Sequence, residues 1–170
     1  HMLAHLAHVY PMGIGQATHI LVGYLYGKNA YNSIGLRVRN SCIVSLIVSV
    51  SITILILVNS DMVVGLFTDD RVILDLCHSI LFVEIVLEIG RSINITMVKC
   101  LVATGDVNVP VIFCVFSAWV VAVGLSYVFG IRLGYGLVGI WIAMACDECL
   151  RGFAFILRFL QGRWKIARSY

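Results

Sequence analysis

Charge is scarce in this 170-residue chain: Asp, Glu, Lys and Arg together make up 12% of it, about half the share in ordinary globular domains. Hydrophobic residues make up 61%, and the mean hydropathy is +0.99. A soluble domain of this length could not bury so much apolar surface. The net charge of +3 is too small to indicate a nucleic-acid partner. We therefore predict an integral membrane protein.

Charge is missing altogether from residues 40–60 and 107–131. Each segment is long enough to cross a hydrocarbon core about 30 Å thick at about 1.5 Å per residue. We predict an all-α, polytopic bundle, with the lipid bilayer as its surroundings and no separate soluble domain. Its five transmembrane helices are Ala4–Gly27, Ser41–Asn59, Leu76–Val98, Val107–Gly130 and Leu137–Leu160.

Other signals are absent too. The first predicted span lacks the basic start of a cleavable signal peptide, and it is too long and too rich in Gly and His. Cys146 and Cys149 form a C-x-x-C motif, but no second pair completes a zinc site. The six cysteines are interpreted as small buried apolar residues. We therefore expect no metal, no organic cofactor and no enzymatic activity.

The few basic residues in the predicted loops set the orientation. One side carries only Arg71 and Arg132, together with an acidic loop. The other side carries Lys28, Arg37, Arg39, Lys99, Arg158, Arg163, Lys165 and Arg168. This distribution predicts a multi-pass protein of the plasma membrane with its C-terminus in the cytoplasm. Five spans that start outside also lead us to expect further sequence before this chain.

Ionisable residues nevertheless lie in the middle of two predicted spans, where each unpaired group costs about 2.5–3.5 kcal/mol. They are Glu88, Arg91, Asp147, Glu148 and Arg151. At this depth three acids accompany two bases, so one acid has no partner of opposite charge. An unmatched buried carboxylate would take up a proton or hold a cation, as a proton- or sodium-coupled transport site requires. A purely structural network, in which the charges fix helix register, is the alternative.

Three further polar residues lie at membrane depth. Glu84 and Asn94 share a helix stripe with Glu88 and Arg91 by their spacing of three and four residues. Gln16 lies in the first span. We predict that Gln16, Glu84 and Asn94 line a substrate cavity, while an interhelical hydrogen bond is an equally good interpretation of Gln16.

Four motifs occur in a fixed order along the chain. They read Val-Gly-Leu-Phe-Thr-Asp at Val64–Asp69, Leu-Glu-Ile-Gly-Arg-Ser-Ile-Asn at Leu87–Asn94, Leu-Val-Ala-Thr-Gly-Asp at Leu101–Asp106, and Gly-Leu-Val-Gly-Ile-Trp-Ile-Ala at Gly136–Ala143, which leads into Asp-Glu and Arg-Gly. In this order they resemble the C-terminal lobe of the multidrug and toxic compound extrusion (MATE) transporters. The second is similar to the Glu-Pro-Gly-Arg-x-x-Asn signature of the tenth helix, and the fourth to a signature of the twelfth. The resemblance covers essentially the whole chain.

The resemblance implies that residues 1–170 are helices 8–12 of a six-helix lobe, without the seventh helix and the N-terminal lobe. It implies a Na⁺- or H⁺-coupled antiporter that exports organic cations and other small amphipathic compounds by alternating access, with the N-terminal lobe as partner. Two residues depart from the pattern: Ile89 replaces the signature proline and Val102 the usual arginine. Another branch places an ion-binding aspartate near the position of Arg91. Here Glu88 or the acids of the fifth span would serve instead.

Two other hypotheses stay open at this point. The chain is a half-size transporter that pairs with itself or with a separate N-terminal lobe, or it is a non-transporting membrane scaffold whose buried charges are structural.

Overall fold

The computed structural model describes residues 2–60, 71–162 and 164. Over these ranges the protein is all-α, without a β-strand, as predicted. Each predicted span corresponds to one long helix: α1 Met2–Gly27, α2 Tyr31–Val58, α3 Arg71–Ala103, α4 Asn108–Arg132 and α5 Gly136–Leu160. The predicted acidic loop (Asp61, Asp69, Asp70), the Val64–Asp69 motif and the basic residues Arg163, Lys165 and Arg168 lie outside the described residues.

Two helices, α2 and α3, extend well beyond their predicted spans. α2 begins ten residues before Ser41, and α3 has 33 residues, a length of about 50 Å. Hydropathy stopped the second prediction at Arg37 and Arg39, yet both arginines are exposed. Ile34 and Val38, four residues apart on one face of the same helix, are buried. An amphipathic turn can therefore continue a helix past charges that end an apolar run.

α4 has an irregular interior that its sequence did not predict. Two π-helical stretches, Ala118–Val123 and Tyr127–Arg132, are separated by the short α-helical segment Gly124–Ser126. Such stretches widen the helix locally and are frequent at functional sites. Ser117, the residue before the first stretch, is buried.

In the part of the chain that the structure describes, two helices are long and apolar enough to cross a membrane by length and composition: α2 and α4. α3 and α5 are of similar length, but they carry the charged groups in their middles. The prediction of five long helices is confirmed, while five membrane crossings stay a prediction.

α3 is the central helix of the bundle, because it packs against α1, α2 and α5. α2 runs antiparallel to α3: Ser49 contacts Glu88, and Cys42 contacts Met97, with 3.9 Å between the two sulfur atoms. A buried apolar cluster joins α1, α2, α3 and α5 at the end that the charge pattern predicts to be cytoplasmic. Its residues are Val22, Ile34, Val38, Met97, Cys100, Leu101, Phe155 and Trp164.

The crossing of α3 and α5 is so close that the two backbones touch. A Cβ atom at Gly90 would lie 2.7 Å from the backbone nitrogen of Cys149, and one at Gly152 would lie 3.2 Å from the carbonyl oxygen of Gly90. Only glycine fits such a contact without displacing backbone. This crossing brings the charged residues of the two helices to the same level.

The turn between α3 and α4 is tied to α5. Gly105 has a φ of +89°, a conformation that favours glycine. The next residue, Asp106, accepts hydrogen bonds from Arg158 of α5, with 2.8 Å between Oδ2 and Nε and 3.4 Å between Oδ1 and Nη2. The Leu101–Asp106 motif therefore forms a turn whose acid fixes α5.

Candidate functional site

The charged group of α3 consists of Glu84, Glu88 and Arg91. Glu88 is fully buried and accepts hydrogen bonds from the Ser49 hydroxyl of α2 and from Arg91 Nη1. The same Nη1 lies 3.4 Å from Glu84 Oε1. Glu84 Oε2 accepts a hydrogen bond of 2.6 Å from the Trp141 indole of α5. Two buried acids therefore share one arginine, and neutral donors on α2 and α5 supply the remaining bonds.

The charged group of α5 consists of Asp147, Glu148 and Arg151. Asp147 is buried and accepts hydrogen bonds from Arg151 Nη2 and from the Ser117 hydroxyl of α4. Because Ser117 directly precedes a π-helical stretch, the irregular part of α4 begins at the side chain that contacts this acid.

Glu148 is half-buried and is bound differently from the other acids. Its Oε2 accepts a hydrogen bond of 2.6 Å from Asn94 Nδ2 of α3. Among the described residues no basic side chain forms an ion pair with it. The carbonyl oxygen of Asn94, Oδ1, is buried and has no hydrogen-bond partner in the described part of the chain. Glu148 and Asn94 thus form a polar bridge between α5 and α3.

Acid–base contacts are present inside both helices, within α3 and within α5. Among the described residues, the bonds between the two charged helices come from the neutral groups Asn94 and Trp141. Glu84 is added to the acids counted in the middle of the two helices because it contacts Arg91. Four acids (Glu84, Glu88, Asp147, Glu148) thus accompany two arginines (Arg91, Arg151), with two acids and one arginine in each charged group.

The three residues predicted to line a cavity have different surroundings. Glu84 and Asn94 are buried at the α3–α5 interface, whereas Gln16 is exposed on α1. A hollow of about 380 Å³ between α3 and α5 is lined by apolar side chains and two thiols, among them Phe82, Ile142, Cys146 and Cys149. The cavity shared by Gln16, Glu84 and Asn94, like the functional role of the charged groups, stays a prediction.

Ser49, Ser117 and Trp141 contact the acids but were not among the predicted site residues. For Ser49 the sequence held a usable signal, because Ser45, Ser49 and Thr53 recur at every fourth residue and all three are buried. Trp141 lies in the Gly136–Ala143 motif. Ser117 had no comparable signal, since its contact depends on how α4 packs against α5.

A bundle of long apolar helices whose mid-helix charged residues lie in its interior, bonded to one another or to neutral donors, has the architecture of a multi-pass α-helical membrane protein. The family model for MatE matches residues 2–128, most of the chain. The chain therefore belongs to the MatE family, whose members are membrane transporters and not enzymes.

Several curated relatives are similar over nearly the whole chain. The uncharacterized transporter YisQ of Bacillus subtilis is 34% identical over 151 residues, which are 89% of this chain and 33% of YisQ. A probable multidrug resistance protein NorM of Thermotoga maritima is 28% identical over 90% of this chain and 33% of that protein. Another NorM, from Xanthomonas campestris, is 26% identical over 94% of this chain and 35% of that protein. The chain spans about a third of the length of these relatives. No solved structure is significantly similar.

Proposed function

We propose that this chain is part of a cation-coupled antiporter that exports small amphipathic compounds, including organic cations, in exchange for Na⁺ or H⁺. Family membership and the names of the NorM relatives support multidrug efflux. The observation that carries the coupling is the excess of buried acids over arginines. An uncompensated carboxylate in a membrane interior is costly, and binding a proton or a cation removes that cost.

The arrangement in the membrane follows from the same reasoning. All five helices cross the plasma membrane, the C-terminus lies in the cytoplasm, and lipid covers the outer faces. The hydropathy of α2 and α4 supports this placement, as does the side on which the basic residues lie. The chain forms part of the C-terminal lobe. Because the relatives are about three times as long, its partner is the N-terminal lobe, and access alternates between the two lobes.

A non-transporting or half-size scaffold is the second candidate. It is favoured by the bonds of Glu88 and Asp147, each of which is held by an arginine of its own helix and a serine of a neighbouring helix. Such closed groups fix how helices pack and need no ion. The two candidate functions predict different results for ion-driven efflux when the excess acidic side chains are removed.

The test removes one acid from each helix in the full-length transporter, with the double variant Glu84→Gln/Glu148→Gln. Gln keeps the shape of Glu and one acceptor oxygen, and removes the charge. Efflux of the fluorescent cation ethidium is measured in proteoliposomes under an imposed Na⁺ or pH gradient. We expect the wild type to respond to one gradient, and the double variant to insert normally but to lose that response. A double variant whose efflux still follows the gradient would show that the acids are structural.

A further inference from the structure

We propose that the coupling ion binds between Glu148 of α5 and Asn94 of α3, and that the Asn94 amide rotates when it binds. The proposal rests on the proposed function and deepens it, because it names one of four candidate acids as the site of exchange and gives a neutral residue a role in it.

Glu148 differs from the other three acids in the groups that contact it, and this difference makes it the candidate ion site. Glu84 and Glu88 share Arg91, and Asp147 is held by Arg151. In the described part of the chain Glu148 accepts a hydrogen bond from the neutral amide of Asn94 and forms no ion pair, and Arg151, which is bonded to Asp147, acts on it electrostatically. The other three acids are at most 3% exposed, while Glu148 is half-buried. Of the four acids, Glu148 is therefore the one whose negative charge is least balanced by an arginine, and it is the one that an ion can reach most easily.

Asn94 is assigned a role in ion binding because its carbonyl oxygen lacks a hydrogen-bond partner in the described part of the chain. The residue is 7% exposed, its Nδ2 donates to Glu148, and Oδ1 has no partner in the described part of the chain. A buried carbonyl oxygen without a donor is costly. A side-chain amide has nearly the same shape after a rotation of about 180°, which exchanges its donor for its acceptor. Asn94 can thus present either NH₂ or oxygen to Glu148.

The two orientations suit the two states of the acid. An ionised Glu148 accepts from Nδ2, as observed. A protonated Glu148 has an O–H to donate, and Oδ1 is the acceptor that it needs. Na⁺ also favours the rotated amide, because hard cations take carboxylate and amide oxygens and are repelled by an NH₂ group. When either ion binds, the hydrogen bond from Asn94 Nδ2 to Glu148 is therefore replaced by a contact in which Asn94 Oδ1 faces the proton or the Na⁺.

Other charged and titratable groups surround this pair. On α5, Asp147 and Arg151 precede and follow Glu148, and Arg151 Nη2 is directed to Asp147. On α3, Arg91 lies one turn from Asn94 and is directed to Glu88 and Glu84. On α4, Cys114 lies beside Arg151. Both arginines bond to other acids, so neither forms an ion pair with Glu148 among the described residues, and Arg151 acts on Glu148 only through electrostatic interaction.

The position of the pair links the ion to the helix packing. A Cβ atom at Gly152 would lie 3.5 Å from the backbone nitrogen of Asn94, so the residue lies within the α3–α5 crossing. Closely packed interfaces shift between discrete arrangements and do not deform continuously. A change in the Asn94–Glu148 bond acts directly on such an interface.

The experiment compares Glu148→Gln with Glu84→Gln as the matched acid on the other helix, in the purified full-length protein. Ion binding is read directly, as proton release on addition of ethidium and as retention of radioactive Na⁺, alongside gradient-driven efflux. We expect Glu148→Gln to abolish the ion signal, and Glu84→Gln to keep it. We expect Asn94→Leu to weaken apparent ion affinity by about tenfold, equivalent to about 1.4 kcal/mol, with Asn94→Asp less affected because it keeps an oxygen.

Wild-type ion binding in Glu148→Gln, or loss of binding in Glu84→Gln alone, would overturn the proposal. Unchanged ion affinity in Asn94→Leu would overturn the role of the amide. If Glu148→Gln fails to insert, Glu148→Asp replaces it: the shortened carboxylate should bind the ion more weakly, and unaltered affinity would count against the site. A wild type that binds the ion without gradient-driven efflux would contradict the proposed function and leave this site standing.

Discussion

The charged groups of α3 and α5 have the same composition, two acids and one arginine, but different partners. On α3 both acids contact Arg91, and each also accepts from a neighbouring helix, Glu88 from Ser49 and Glu84 from Trp141. On α5, Arg151 forms an ion pair with Asp147, and Glu148 accepts a hydrogen bond from the Asn94 amide. Both groups thus have two acids and one arginine, but both acids of the α3 group contact the arginine, whereas in the α5 group Glu148 does not. We call the α3 group closed for this reason.

This difference separates two roles that buried charges can have. A closed group fixes the packing of helices, because removing any member leaves an uncompensated charge in the interior. An acid that lacks a base is poorly suited to fixing packing and well suited to binding an ion. We therefore assign the α3 group mainly to stability and Glu148 to ion exchange.

The largest effect on stability should come from Arg91→Leu. It leaves both Glu84 and Glu88 without a base in a buried position, and losing one partner of a buried pair costs about 3–5 kcal/mol. Arg151→Leu is the matched change on α5 and leaves only Asp147 without its base, so we expect a smaller loss. Thermal unfolding of the purified full-length protein in detergent, followed by Trp fluorescence, measures both. Equal losses would show that the two groups do not differ in the way described.

Much of this comparison could be predicted from the sequence. Helical periodicity places Glu84, Glu88 and Arg91 on one stripe, so the contacts inside α3 follow from spacing alone. The depth of the charges followed from their positions in the apolar runs. Periodicity does not determine which helices pack together, however. The contact of Ser117 with Asp147 and that of Asn94 with Glu148 depend on the three-dimensional packing and could not be derived.

The exposed position of Gln16 has the same cause. A polar residue at membrane depth can face the bundle, another lobe or lipid, and its own helix does not show which. The start of α2 before the predicted span has a different cause. Hydropathy reports which residues lipid accepts, while a helix continues as long as its backbone is satisfied, here from Tyr31 onward.

The next effect concerns the crossing that holds the two groups at one level. In Gly90→Ala the new methyl would lie 2.7 Å from the Cys149 nitrogen, an atom of a helix backbone that cannot move aside alone. We expect a loss of about 1–3 kcal/mol, typical of overpacked sites, in the same unfolding measurement. Gly23→Ala is the matched control, because a Cβ atom there meets nothing within 4 Å in the described structure. A Gly90→Ala protein as stable as the control would mean that α3 and α5 are not closely packed.

The smallest effect should come from the ion pair between Asp106 and Arg158, which lies at the helix ends and not in the charged middle. The side chains are 10% and 22% exposed, so solvent screens the pair more than it screens the α3 group. We expect Asp106→Asn to cost about 1 kcal/mol or less. Because screening by salt acts on exposed pairs far more than on buried ones, the difference in unfolding temperature between Asp106→Asn and the wild type should shrink at high ionic strength. The corresponding difference for Arg91→Leu should remain. If both differences responded equally to salt, Glu84 and Glu88 would have to be hydrated, and the distinction between a closed interior group and a peripheral pair would fail.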